Sequence, residues 1–489
     1  MFMLGGMNEK EGLQGTKGSI RERFNRNRGG IRMFSNTEHS AAKNFWYTAI
    51  FWLLISMLAG LVVAIKQMSP DFLGGTSWLT YGRVRPIHTN GVLLAWLSMV
   101  NVGCMFYIVP KLLRTKLWSE RLGNITCVLW NIGIVAAVLA LAAGHSSGVE
   151  YAELPLWLDL TVAFVVILVM INVYMTIKNR KEKQLFVSIW YFVGSLIWLP
   201  GVWIVGNVPA PLVGGAIQAN MNWFYGHNVL GLWFTTVGIG TMYYLLPKLT
   251  GRPLYSHKLS LIGFWTIGTF YVWNGPHHLV NSPIPLWLMK AGIIPSILLI
   301  IPVWTVLANV LGTMKGQWHQ VQDNVNLKFL ITAMIFYLMA CLQGPFQALM
   351  SVSAVVKYTH WVPGHAHMAP FGAFSFIGFI MIYFAIPRIT GREIYSKSLM
   401  SWHYYLSVSG FLIFAFSMWI AGVMQGFAWM EATPFIETVR MSAPFVAVRA
   451  VGGTLMIVAQ FFFAYNIYMT TKAGKAFKTD KSEDVTVTA

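Results

Sequence analysis

Apolar stretches about 20 residues long, the length that carries a helix across a bilayer, recur from Phe45 to Thr471. Twelve can be delimited, near 45–66, 86–110, 124–144, 157–177, 187–206, 223–246, 259–276, 285–311, 328–347, 364–387, 402–425 and 443–470. With 56% hydrophobic and 11% charged residues, the chain is far too poor in charge for a soluble protein of its length. The expected fold is therefore all-α: a polytopic membrane protein of twelve transmembrane helices, residues 43–471. The Arg- and Asn-rich segment 1–42 reads as a flexible polar tail without the apolar centre of a signal peptide, and 472–489 as a second polar tail.

The net charge of +18 suggests nucleic acid until the charges are placed on that map. Of 35 Lys and Arg, 28 fall in the tails and in alternate loops, near 111–121, 178–183, 248–258, 315–328 and 388–397. The positive-inside rule then puts both termini in the cytoplasm, which an even number of spans allows. These charges signal topology, and no nucleic-acid partner is expected. Cys104, Cys127 and Cys341 read as buried thiols, and no C-x-x-C-H is present to attach a haem covalently. No repeat suggests the inverted halves of a secondary transporter.

Ionisable groups inside spans are costly and so informative. Of twelve histidines, six fall at the outer ends of four expected spans. His88 opens span 2, His227 opens span 6, His277 and His278 close span 7, and His365 and His367 open span 10. Odd spans end outside and even spans begin there, so all six reach one depth. A single helix-end histidine would be unremarkable. Six in one layer point to metal, since imidazole is the commonest metal ligand and haem iron accepts one or two.

Spacing divides the six. Residues i and i+2 of a helix point about 200° apart, so His365 and His367 of GHAH face opposite sides and serve different centres. Adjacent His277 and His278, after the breaker Pro276, can converge on one ion. His227, His277 and His278 thus form a three-imidazole site faced by one span-10 histidine on an open haem. The other pairs with His88 across a six-coordinate haem. Tyr271, two turns before His278, lines the cavity beneath the metal.

The stretches YGRVRPIHTN, EYAEL, NWFYGHNVLG, MYYLLPK, RPLYS, FYVWNGPHH, HWVPGHAHM and SWHYYLSVSG resemble the catalytic subunit of haem–copper oxidases, most closely the cbb3-type cytochrome c oxidases. The resemblance spans about 45–470. It implies a respiratory enzyme of the prokaryotic inner membrane, coupling four-electron reduction of O2 to proton uptake from the cytoplasm. It implies copper on His227, His277 and His278, high-spin haem b3 on His365, and low-spin haem b between His88 and His367. Tyr271 corresponds to the family's redox-active tyrosine, linked covalently to the span 6 histidine, here His227. Glu150 and Glu153 occupy the region of a calcium site, and Arg83 and Arg85 are placed to meet haem propionates. Ser260, on the same face of span 7 as Tyr271, could begin a proton path with His257, Thr235 and Tyr243. Membrane-anchored c-type cytochrome subunits would deliver electrons.

The sequence departs from the oxidase pattern at Gln343, where a glutamate is usual, and at His257, where a proton-path tyrosine is usual. GHAHMAPFGAF looks more like the related nitric oxide reductases, which reduce two NO to N2O at a haem and non-haem iron. That alternative function is opposed by Gly231, where those enzymes generally carry a glutamate, and by Tyr271, which they lack. A hard oxygen ligand suits iron, whereas three imidazoles suit copper. A transporter or channel relaying protons through histidines would scatter polar groups through the midplane rather than gather them in one layer.

Overall fold

A computed structural model describes residues 37–476. The polar tails expected at 1–42 and 472–489 lie largely outside the described residues. The described chain is helical throughout apart from an isolated pairing of Arg392 with Ala476. In chain order the principal helices are α1 (Ser40–Met68), α2 (Tyr81–Leu112), α3 (Glu120–Ala143), α4 (Leu156–Lys178), α5 (Val187–Asn207), α6 (Gly215–Thr250), α7 (His257–Tyr271), α8 (Leu286–Met314), α9 (Val325–Ala348), α10 (Trp361–Thr390), α11 (Lys397–Met430) and α12 (Phe435–Ala473).

Among the described residues, eleven helices are long and apolar enough to cross a membrane. The exception is α7. The span expected at 259–276 folds as a helix of 15 residues, followed by a 3-10 turn, Gly275–Leu279, that carries both adjacent histidines. Pro276 has no N–H to continue an α-helical ladder, so the chain tightens there.

Helices α2, α6 and α10 form the inner bundle. Their most apolar windows are 89%, 94% and 89% buried, against 33–56% for the others. Outer helices turn Phe51, Ile132, Ile171, Trp265 and Phe416 outward, as a lipid-facing surface requires. Each inner helix widens into a π-helical segment just after its histidines: Gly91–Leu97, Leu230–Thr235 and Met368–Ser375. Widening strands a carbonyl, and in each segment a hydroxyl five residues on donates to it. The pairs are Ser98 to Leu93 (2.9 Å), Thr235 to Leu230 (2.9 Å) and Ser375 to Pro370 (2.8 Å). Two indoles tie the segments together. Trp96 Nε1 donates to Ser375 Oγ at 2.8 Å and Trp233 Nε1 to Ser98 Oγ at 3.0 Å.

The opposite ends of these helices expose a threefold repeat. VPKLLRTKLWS, LPKLTGRPLYS and IPRITGREIYS occupy 109–119, 246–256 and 386–396. Ser119, Ser256 and Ser396 cap α3, α7 and α11 by accepting the N–H three residues on. Their own N–H groups donate to Asn172, Asn309 and Asn466, at 3.1, 2.8 and 3.0 Å. The preceding N–H groups donate to Thr176, Thr313 and Thr470, one turn beyond those asparagines. The repeat is parallel rather than inverted, so a search for inverted halves passes over it. Both described ends of the chain belong to this face. His39 N–H donates to Glu120 at 2.7 Å, and Glu393 N–H donates to Lys475 O at 2.8 Å.

Candidate metal centre

The adjacent histidines reach their position because two glycines make room. A methyl on Gly275 would lie 2.8 Å from the Phe224 nitrogen of α6, and one on Gly292 would lie 2.5 Å from the His277 nitrogen. The 3-10 turn is therefore wedged between α6 and α8, with Leu279, Val280, Ile284, Met289 and Ile293 packed beneath it. Wedging brings His277 and His278 to His227. One ligand atom from each lies within 4.8 Å of the others, and among the described residues this is the only group of three or more potential ligands that could hold a metal.

Hydrogen bonds orient each ring. His277 Nδ1 lies 2.8 Å from Ser296 Oγ on α8, which turns Nε2 inward. His278 stacks flat on Trp223, with centroids 3.8 Å apart and planes 7° apart. Its Nε2 lies 3.0 Å from Nδ1 of His227, while His227 Nε2 is buried without a partner. The donor set is three imidazoles and no carboxylate, a combination suited to copper, so the residues fit that metal.

Tyr271 packs its ring on His227, with centroids 4.6 Å apart and planes 21° apart. Gly231 explains how. A methyl there would lie 1.9 Å from Cε1 of Tyr271, so the tyrosine ring fills the volume that a side chain at 231 would need. The missing glutamate and the added tyrosine are thus a single steric fact.

His365 and His367 point to opposite sides, as their spacing requires. His365 lies within electrostatic reach of all three clustered histidines. His367 faces His88, with ring centroids 6.1 Å apart and planes 17° apart. Two imidazoles bound through nitrogens about 2 Å from one metal hold their ring centres at that separation. In all three rings Nδ1 is engaged: His88 with Ser56 O (2.8 Å), His367 with Pro363 O (2.8 Å) and His365 with Gln343 Oε1 (3.0 Å). The carbonyl acceptors place the proton on Nδ1 and leave the Nε2 lone pair for iron. Gly60 admits the His88 ring, since a methyl there would lie 2.6 Å from it. These geometries fit haem ligation.

The remaining candidates disperse. Arg85 pairs with Glu150 at 2.6 Å, and Arg83 donates to Ala142 O at 3.0 Å. Glu153 is 3% exposed, accepts from Asn90 at 3.1 Å and keeps Oε1 unpartnered; burial pushes its carboxyl above the usual range. Ser260 and Thr235 bond to carbonyls of their own helices. Tyr243 accepts from Asn309 at 3.4 Å. His257 Nδ1 is buried without a partner.

Sequence reasoning missed Ser296 and the buried hydroxyl of Tyr191, which comes near Thr305 across Gly263. Ser296 carries no motif in its own stretch; only its position opposite Pro276–His277 reveals it.

A family model described as cytochrome c and quinol oxidase polypeptide I matches residues 40–455. Among similar proteins are the cbb3-type cytochrome c oxidase subunit CcoN1 of Stutzerimonas stutzeri (30% identical; 91% of this chain, 98% of the relative) and cytochrome c oxidase subunit 1 of Rhodobacter capsulatus (33%; 86% and 83%). A nitric oxide reductase chain of Stutzerimonas stutzeri is 22% identical over 87% of this chain and 94% of its own. A solved haem–copper terminal oxidase dimer superposes with a TM-score of 0.76 at 18% identity, over 90% of this chain and 86% of that one.

Proposed function

Because the chain belongs to the cytochrome c and quinol oxidase polypeptide I family, with cbb3-type oxidase subunits among its relatives, we infer that its histidine layer is an oxygen-reducing centre. In this reading His227, His277 and His278 hold copper, His365 holds the iron of high-spin haem b3, and His88 with His367 holds low-spin haem b. When bound, these groups carry the electrons and bind the O2 that is reduced to water.

The chain's own residues orient that chemistry. Ser296 and Trp223 fix two copper-ligand rings, so little reorganisation accompanies metal binding. Gln343 holds His365 through a neutral amide oxygen. Tyr271 presents its phenolic proton beside His227, and its stacking there supports the covalent link that the family implies. Protons would arrive from the cytoplasmic face by way of His257, Ser260, Tyr243 and Thr235, with Asn309 turning its amide to Tyr243. Twelve passes, with both ends cytoplasmic in a prokaryotic inner membrane, accord with the charge distribution. Electrons would come from membrane-anchored c-type cytochrome subunits.

The observation that carries the reading is Tyr271 occupying the space above Gly231. It removes both the room and the carboxylate that a nitric oxide reductase site would use. With a reduced c-type cytochrome as donor, the purified complex is expected to consume O2 with four electrons per molecule. Tyr271→Phe should cut that rate at least 100-fold while both haem spectra persist. Undiminished O2 turnover in that variant would defeat the reading.

A further inference from the structure

Past His278 the 3-10 turn runs out at Leu279, and the chain leaves for α8 without a helical ladder to steady it. What holds this exit is a lysine from the connection between α9 and α10. Lys357 Nζ donates to Val280 O at 2.7 Å and to Ser282 Oγ at 2.6 Å. Between those acceptors, Asn281 donates from Nδ2 to Met350 O at 3.0 Å. Residues 280–282 are thus sewn to the short helix Met350–Val356 and to the lysine that follows it.

The backbone is bent on both sides of this seam. Asn281 and Tyr358 take left-handed conformations, with φ of 61° and 67°. A residue other than glycine holds that conformation only where its surroundings impose it, and each of these two adjoins a member of the Lys357 contact. The base of the lysine is rigid. Gly426 of α11 packs on Val355 O and Gly422 on the Trp361 nitrogen, so closely that a methyl on either glycine would collide. Lys357 stands four residues before Trp361, where α10 begins, and eight before His365. Among the described residues no carboxylate pairs with it. Its ammonium lies 4.8 Å from the centre of the Tyr358 ring, and its charge is felt at His278.

We propose that Lys357 is a positioning residue for the copper centre: by gripping Val280 and Ser282 it fixes the turn that carries His277 and His278 against the segment leading to His365. The proposal rests on reading His227, His277 and His278 as copper ligands. Lysine suits the task because its ammonium offers three donors on one compact charge, of which a carbonyl and a hydroxyl take two here. The donated bonds hold the ligand turn in register with α10, as supporting contacts around a metal do. The charge favours the reduced metal, since a cation nearby raises the cost of removing an electron.

The test uses the whole oxidase complex carrying Lys357→Met, Lys357→Arg or Ser282→Ala. Carbon monoxide driven by light from the haem iron to copper at low temperature reports the copper's surroundings through its infrared stretch. The Met variant should broaden and shift that band and release copper to a chelator roughly 10–100-fold more readily, while both haem spectra persist. The Arg variant, which keeps charge and donors, should restore a narrow band and most of the copper retention. A Met variant with full metal content, an unmoved band and parental copper retention overturns the proposal, whatever its unfolding temperature. Should the Met variant fail to accumulate, Ser282→Ala decides. A broadened band with faster copper loss there supports the proposal, and a parental band with parental retention overturns it. A parent complex that holds no copper would instead refute the ligand reading on which the proposal stands.

Discussion

At the scale of single residues, the centre is shaped as much by absent side chains as by present ones. Gly231 is the clearest case, because Tyr271 already fills the place of its Cβ. Gly231→Ala should displace the tyrosine ring, with an overpacking cost of about 1–3 kcal/mol and at least a tenfold loss of O2 turnover; thermal unfolding and oxygen uptake measure the two. If Tyr271 is first cut to alanine, the same Gly231→Ala change should be nearly neutral for stability. Ser296 makes the complementary point. Ser296→Ala frees the His277 ring and should weaken copper binding roughly 10–100-fold, read by copper retention during dialysis against a chelator. Gln343 offers His365 a neutral acceptor. Gln343→Glu should make the imidazole more electron-donating and lower the midpoint of the high-spin haem; an unmoved midpoint would show that the hydrogen bond does not tune the iron.

At the scale of helices, the ligand-bearing elements share one design. Each inner helix delivers its histidines, widens into a π segment and recovers the stranded carbonyl with a hydroxyl five residues on. π segments often accompany functional sites because they re-aim side chains without ending a helix. The caps at the other face are equally regular, so Ser119→Ala, Ser256→Ala and Ser396→Ala should each cost about 1 kcal/mol, with similar falls in unfolding temperature. The second repeat differs in one detail. Asn172 and Asn466 also donate to the capped serine's carbonyl, whereas Asn309 turns its amide to Tyr243. The unit that carries Tyr271 has redirected one structural bond towards a buried phenol. Hydropathy and charge made most helices legible, because bilayer length and loop basicity are one-dimensional signals. The break at Tyr271–Gly275 and the π segments were not legible, since both depend on which neighbour the backbone meets. The opposed directions of His365 and His367 could be read from spacing alone. The convergence of His227 with His277 and His278 needed a depth argument across separate spans, and the Arg85–Glu150 pair joined residues too far apart for any local pattern.

At the scale of the whole molecule, three parallel helical units bring six imidazoles to one layer, and the inner helices are the most buried part of the chain. Burial of that kind excludes water from the centre and leaves the lipid-facing helices apolar, so a multi-pass membrane protein and a metal site are two aspects of one arrangement. The arrangement also predicts selective losses. His88→Ala should remove the low-spin haem spectrum and leave the CO-reactive haem, because His367, which His88 faces, and His365 point to opposite sides of α10. Metal and haem analysis of the purified complex, corrected for the haems of its cytochrome partners, tests the central claim most directly. One copper for every two haems on this chain is expected, and a colourless protein, or one with an extra non-haem iron and no copper, would contradict that reading.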